Sequence, residues 1–335
     1  MNRLFVTLED GAVFEGRSVN GAPEAAGLLS FYTGVVGYQE VVTDPANLGK
    51  IMLFTYPLIG NYGVNPHDAE SASITVNGMI TKEYPPYYSN FRATGSLADY
   101  LGGSQTVFGT GFDTRAILLH LRDHGEMTAA MSGEPLTAGD VTQRAGRLAA
   151  ADRASGNAPV ACARARAIAR AFVLDLGASK SFYKHLAALG VDACGGSEDA
   201  DLVIVSDAAY YLVESAAIIE RVKSAVKGRP AVGIGHGSAI LAQACGGKVR
   251  RLSFGDHGVN VPVAYAGGGR NEITVQNHNY EVVAGDGVET LFTNIHDGTC
   301  EGFKLSSARA AGANFLPTAD WLDVMLRSVG VKQDA

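Results

Sequence analysis

The segment of this chain with the clearest chemical promise is Pro230-Ala-Val-Gly-Ile-Gly-His-Gly-Ser-Ala-Ile-Leu, in which a short apolar run meets a helix-like stretch across three alternate glycines. A sharp turn of this kind holds its central residue in a strained conformation above the end of a sheet, where hydrolytic nucleophiles are displayed. The centre here is Gly235, which has no side chain with which to attack. Free N–H groups at the helix start could still receive an anion, and Gly235 would let it approach closely. A tight turn relaxed by glycine accounts for the same residues.

Other candidates are weaker. Ser238 with His236 has the composition of a hydrolytic pair, but residues two apart at a helix start diverge by about 200° around the axis, and no acid orients the histidine. His257 and His278 raise the question of a metal, yet no third ligand stands at metal spacing from either, so both read as packing and hydrogen-bonding residues. Cys162, Cys194, Cys245 and Cys300 include no C-x-x-C pair and read as reduced thiols. No Gly-x-x-x-x-Gly-Lys-Ser/Thr loop is present, and no cofactor is expected.

The elements that would position the turn follow from the pattern around it. From Phe172 onward, strand-like runs (Ala171–Leu176, Leu202–Ser206, Ala231–Ile234) alternate with helix-like segments near 179–189, 213–226 and 238–245. That alternation predicts a doubly wound α/β layer with a mainly parallel sheet, whose ligands bind beyond the carboxyl ends of the strands. The first 130 or so residues read differently, as short apolar runs such as Leu4–Leu8 and Ile51–Tyr56 between turn residues, with a helix over Thr114–His124. Between them, residues 133–170 are rich in Ala, Arg, Gly and Ser and read as a connector with a solvated face.

With 335 residues, 47% hydrophobic and 18% charged, the chain has material for two folded domains. The net charge of −7, without like-charge blocks, argues against a nucleic-acid surface. The stretch from Pro230 to Gly247 is too short and too broken for a membrane span. Glu9 and Asp10 stand where a secretory signal would be apolar, and a cytoplasmic location is expected.

Several blocks are familiar. Leu8-Glu-Asp-Gly, Thr33-Gly-Val-Val-Gly-Tyr-Gln-Glu-Val-Val-Thr-Asp-Pro, Thr55-Tyr-Pro-Leu-Ile-Gly-Asn-Tyr-Gly-Val-Asn, Ser89-Asn-Phe-Arg and Phe112-Asp-Thr-Arg resemble the amino-terminal domain of the small, glutamine-amidotransferase subunit of carbamoyl phosphate synthetase. Asp175-Leu-Gly-Ala, Phe254-Gly-Asp-His-Gly-Val-Asn-Val-Pro-Val, Gln276-Asn-His and Asp297-Gly-Thr-Cys-Glu-Gly resemble its class I glutaminase domain, in the right order. The resemblance implies a β-rich small-subunit domain over residues 1–132, a connector over 133–170 and a doubly wound class I glutamine-amidotransferase-like α/β domain over 171–335.

It also implies a Cys–His–Glu machine that this sequence lacks. The thiolate position is Gly235, and Cys245 lies about 15 Å further along a helix rising roughly 1.5 Å per residue. The family's late His-Pro-Glu segment has no counterpart histidine, because none follows His296; the degenerate positions are placed at Ala313 and Phe315. The family's Asn-Gly-Pro-Gly-Asp-Pro loop, which helps hold the oxyanion, reads Ser206-Asp207-Ala-Ala-Tyr210-Tyr211, its tyrosines filling space that glycines would leave. Its Gly-His-Gln substrate grip reads Gly237-Ser238-Ala239, and its Asp-Pro-Ser reads Asp44-Pro45-Ala46; His236, Gln276 and Asn277 complete the vestigial pocket.

The expected function is a catalytically silent small-subunit homologue that partners a large carbamoyl phosphate synthetase-like chain. Docking is expected through the first domain, with Tyr38, Tyr62 and Arg115 as candidate anchors that also suit internal packing. The alternatives are an enzyme that turns over another substrate with Tyr210, Tyr211, His236 or Ser238, and a stand-alone binding protein with a ligand at the Gly235 turn.

Overall fold

The turn-punctuated first half closes into a barrel. In a computed structural model that describes residues 2–148, 157, 167–194, 200–269, 271–285 and 287–331, seven strands, β1 (Arg3–Leu8), β2 (Val13–Ser18), β3 (Glu24–Tyr32), β4 (Ile51–Phe54), β5 (Gly78–Ile80), β6 (Val107–Thr110) and β7 (Thr128–Ser132), join in the order β1-β2-β6-β5-β4-β3-β7. β1 and β2 pair antiparallel across Asp10-Gly11, where Gly11 adopts φ 91°, a conformation that costs glycine little. β3 to β6 run parallel in succession, so longer excursions connect them. These carry the helices α1 (Tyr38–Thr43) and α2 (Leu97–Gly102).

Two further helices complete this unit, α3 (Thr114–His124) and α4 (Ala138–Leu148). Asp113 starts α3 by accepting the Ala116 N–H at 2.9 Å, and Ile117 and Leu121, one turn apart, are buried beneath it. α4 lies inside the stretch read as a connector, but it belongs to the barrel: Val141 packs against Ala26 and Ala130. The chain divides into units Met1–Asp152 and Arg153–Ala335, so the first extends past residue 132. Cys162 and most of the Arg-rich run lie outside the described residues.

The second unit is one nine-stranded sheet. Its strands are β8 (Ala169–Leu176), β9 (Val191–Cys194), β10 (Leu202–Ala208), β11 (Ala231–Ile234), β12 (Val249–Tyr265), β13 (Glu272–Val282), β14 (Val288–Asn294), β15 (Cys300–Leu305) and β16 (Ala310–Ala313). The order is β13-β12-β14-β15-β16-β11-β10-β8-β9. The five from β16 to β9 are parallel and the rest antiparallel. The parallel part matches the strand–helix alternation, through α5 (Lys180–Leu189), α6 (Ala216–Val226), α7 (His236–Ala244) and, at the end of the chain, α8 (Ala319–Ser328). Parallel strands buried on both faces read as continuous apolar runs, as Leu202 to Val205 do, each 0% exposed. Phe292, Phe315 and Trp321 form an aromatic cluster in the core, Phe292 stacking on Trp321 at 4.4 Å.

Candidate functional site

The turn singled out in the sequence is the junction between β11 and α7. Gly235 has φ 59° and ψ −138°, a backbone conformation that residues with a side chain rarely adopt. Its neighbours are small because of contact: a Cβ on Gly237 would stand 2.0 Å from the Ser206 carbonyl oxygen, and one on Gly233 2.6 Å from Ser238 Cα. The two glycines therefore let α7 press against the ends of β10 and β11, which lifts residue 235 to the carboxyl edge of the parallel strands.

Asp207 fills the space above that turn. A Cβ built on Gly235 would fall 2.3 Å from Asp207 Cγ and within 2.6 Å of both carboxyl oxygens. Asp207 Oδ1 accepts the backbone N–H of His236 and that of Ala208, each at 2.8 Å. In strand-to-helix nucleophile turns, the N–H of the residue after the nucleophile is a donor to the oxyanion. Here that residue is His236, and its N–H is already given to a carboxyl group of the same chain. The side chain against the turn is thus Asp207; Tyr210 and Tyr211, expected to fill the space, instead lie in a 3₁₀ turn over Tyr210–Glu214, half-buried and edge-to-face at 5.5 Å.

The other polar groups of the turn are committed internally. Ser206 is buried, its hydroxyl accepting the Leu176 N–H at 2.9 Å and donating to the Asp207 carbonyl at 2.8 Å. Ser238, also buried, donates to Asn314 Oδ1 at 2.7 Å. Asn314 in turn donates to the Cys300 carbonyl at 3.2 Å and to Glu301 Oε2 at 3.3 Å. His236 is 1% exposed, its Nδ1 3.3 Å from Asp207 Oδ1 and its ring edge-on to Tyr280. Burial and the neighbouring Glu214 push the Tyr280 phenol up, and its hydroxyl donates to that carboxylate at 2.9 Å. Ala239 is buried in α7. Ser238 and His236 point into packed protein, so neither presents the accessible hydroxyl or imidazole that turnover of another substrate would need.

The remaining expected positions separate. Ala313 and Phe315 belong to the core of the second unit, Ala313 0% and Phe315 2% exposed, with the Ala313 carbonyl accepting the Gly235 N–H at 2.9 Å. The side chain that emerges after β16 is Leu316, 41% exposed, followed by Pro317 and Thr318. Ala46 lies in the first unit, buried in a 3₁₀ turn over Pro45–Asn47 that Asp44 caps. Tyr38 and Tyr62 are internal rather than free anchors: they stack at 4.1 Å, and Tyr38 donates to the Gly63 carbonyl at 2.6 Å. Arg115 is exposed.

Gln276 and Asn277 sit on β13, where sequence spacing concealed a second polar cluster. Asn277 Oδ1 is 2.8 Å from His257 Nδ1. Gln276 Oε1 is 2.6 Å from His278 Nε2, and the Gln276 amide N–H donates to Thr274 at 3.1 Å. Around the same imidazole stand Glu301 from β15 at 3.1 Å and Asp256 from β12 at 3.9 Å. Burial disfavours the imidazolium, but Glu301 and Asp256 outweigh it and hold His278 up at about 9. Glu301 is held low by the same partnership against its own burial.

The description "Carbamoyl-phosphate synthase small chain, CPSase domain" matches residues 6–131, and "Glutamine amidotransferase class-I" matches residues 182–317. The carbamoyl phosphate synthase small chain of Nitratidesulfovibrio vulgaris is 36% identical over 334 residues, covering 90% of this chain and 89% of its own. That of Symbiobacterium thermophilum is 36% identical over 323 residues, covering 88% of each. The chain belongs to the carbamoyl phosphate synthase small-chain family. The two matched regions fall one in each unit, the first on the barrel and the second on the sheet that carries the Gly235 turn. Among solved structures, a glutamine amidotransferase from Thermotoga maritima is similar at 17% identity and a TM-score of 0.34, over 48% of this chain and 82% of that one. Among the described residues no helix is long and apolar enough to cross a membrane.

Proposed function

We propose that this member of the small-chain family does not hydrolyse glutamine and serves as a structural or regulatory partner of a large synthetase-like subunit. The observation that carries the reading is the Asp207 carboxyl group over Gly235, seated on the His236 N–H. A glutaminase needs two things at that point, a thiolate to form the covalent intermediate and free N–H donors for the oxyanion. Glycine supplies no thiol, and the donor is engaged by a tethered acid. The late segment agrees. Leu316-Pro317-Thr318 keeps the proline of the family's His-Pro-Glu run but carries an apolar residue and a hydroxyl where base and orienter belong, a better placement than Ala313 and Phe315.

The partner surface on the first unit is carried by its exposed apolar side chains. Val35 is 56%, Val36 64%, Tyr87 76% and Phe91 96% exposed. The loops bearing them converge: the Gly37 N–H donates to the Tyr62 hydroxyl at 2.7 Å, and the Ser89 N–H to the Asn61 carbonyl at 2.9 Å. Large exposed apolar groups of this kind mark protein contacts. The test is capture of the large carbamoyl phosphate synthase subunit of the same organism by the full chain, followed by synthesis assays on the complex. The reading expects a complex supported by ammonia and not by glutamine, with capture weakened at least about tenfold in Phe91→Glu. Glutamine-supported synthesis that depends on this chain, or capture untouched by Phe91→Glu and Tyr87→Glu, contradicts it.

A further inference from the structure

Four buried side chains form an unbroken polar line from the antiparallel end of the sheet to the start of α7. They are His278 on β13, Glu301 on β15, Asn314 just after β16 and Ser238 in the first turn of α7, none more than 5% exposed. His278 donates from both ring nitrogens, Nδ1 to the Tyr280 carbonyl at 2.9 Å and Nε2 to Gln276 Oε1 at 2.6 Å and Glu301 Oε2 at 3.1 Å. The Asn314 amide donates to the same Glu301 Oε2 at 3.3 Å, and its oxygen accepts the Ser238 hydroxyl at 2.7 Å. Ser238 follows His236 by two residues, so the line ends beside the N–H on which Asp207 sits.

The joint of this line is the charged pair. Glu301 Oε1 is held by Asn294 at 3.3 Å and Thr299 at 3.1 Å, which leaves Oε2, the oxygen shared by His278 and Asn314, as the end that swings. With both nitrogens protonated, the ring attracts that oxygen. The proton of a neutral ring stays on Nδ1, opposite the Tyr280 carbonyl, and the Nε2 lone pair then faces Glu301 and the Gln276 oxygen, acceptor against acceptor. A buried carboxylate that loses its counter-charge is costly, and the oxygen it withdraws is the acceptor of the Asn314 amide. Burial opposes the charge on His278, but Glu301 from β15 and Asp256 from β12, 3.9 Å away, hold the ring up at about 9. Asp256 is itself pushed up by burial, with His278 and His257 opposing the shift and Glu301 and Asp297 adding to it. On β15, burial pushes Cys300 up to about 11, and α7 brings His236, whose Nε2 is 3.4 Å from the Asn279 nitrogen.

We propose that His278, Glu301, Asn314 and Ser238 form a protonation-linked latch on the Gly235 turn, closed while the imidazole carries both protons and released at the start of α7 when it loses one. The stability that the imidazolium contributes is complete below the ordinary histidine value of 6.5 and is lost as pH rises through about 9, so the latch opens on the alkaline side of neutrality. Opening disturbs the seat of Asp207, which depends on the His236 N–H at the head of α7. The latch acts on the turn of the silent-partner reading but rests on its packing alone.

The test is amide hydrogen exchange of the full chain at pH 6.5 and pH 9.0, corrected for the intrinsic pH dependence of exchange, with the protection of α6 as reference. In the parent, protection of the first half of α7 is expected to fall at least about tenfold more than that of α6. This excess is expected to vanish in H278Q, which keeps a donor towards Glu301 without a titrating charge, and in S238A, which cuts the line at its last link and leaves the charged pair intact. NMR of the histidine-labelled parent is expected to show one ring that stays protonated on both nitrogens at pH 7.5; this and S238A decide the matter if H278Q does not fold. An equal fall in α6 and α7, an excess that persists in H278Q or in S238A, or the absence of a protonated ring at pH 7.5 overturns the latch. Because no readout is ammonia release, failure here leaves the silent-partner reading untouched.

Discussion

Asp207 Oδ1 stands 2.8 Å from the backbone nitrogen of His236, and the same carboxyl group occupies the first ångströms into which any side chain at Gly235 would project. Loss of a nucleophile alone leaves a pocket. On the silent-partner reading proposed above, the nucleophile is lost and an acid sits on the oxyanion donor, and a turn packed in that way responds to substitution in ways a dormant active site would not.

Gly235→Cys is the first case. The new Cβ meets the Asp207 carboxyl at 2.3 Å and must adopt φ near 59°. The expected cost is on the order of 1–3 kcal/mol of stability, with no glutamine hydrolysis gained, because a thiol without its imidazole base is poorly activated. In an Asp207→Gly background the same change should cost less. Denaturant unfolding of the four chains of this double-mutant cycle measures the coupling; strictly additive costs would show that the two residues do not touch.

Asp207→Ala removes the acceptor from the His236 N–H at the start of α7 and from the Ala208 N–H at the end of β10. A loss of about 1–2 kcal/mol is expected. The freed donors should then take up a small anion, so sulfate or phosphate should raise the melting temperature of Asp207→Ala more than that of the parent. Equal anion effects in both proteins would mean that the donors were never engaged.

How far the sequence carried this picture depended on the range of the interactions. The helix Thr114–His124 was legible from its ends and from its apolar spacing, since Asp113, Ile117, Leu121 and Gly125 act within the helix or beside it. Gly235 was legible as a turn centre because the alternate glycines record close backbone contacts. The filling of the turn by Asp207 was not: it depends on how β10 ends against α7, a contact 29 residues apart in sequence. The burial of Ala313 and Phe315 in the core was not legible, because Ala310–Ala313 carries no distinctive pattern. The Asp256–His278–Glu301 cluster was hidden by register. Asp256 pairs with His278 only after a β-bulge between Arg251 and Asp256, and Glu301 arrives from a separate strand.

Ser238→Ala separates a structural hydroxyl from a catalytic one. The change orphans the buried Asn314 Oδ1, and a loss of roughly 1–3 kcal/mol is expected on unfolding. Synthesis by the complex with the large subunit should be unchanged wherever the variant remains folded. A loss of activity without a loss of stability would return Ser238 to the list of reacting groups.

The cysteines provide a chemical check on burial. Burial pushes the Cys300 thiol up to about 11 and also raises Cys245, so at pH 7.5 both are protonated, Cys300 buried and Cys245 half-buried. Iodoacetamide should label these two at least roughly tenfold more slowly in the native chain than in urea. Rapid native labelling of Cys245 would show a thiolate at the end of α7 and a less closed junction than the one described.

The most direct measurement of the central claim is ammonia release from glutamine by the full chain, alone and bound to the large subunit, with Cys245→Ala as control. The account predicts the rate of a buffer blank in every case. Release that scales with the amount of chain and survives Cys245→Ala would contradict it.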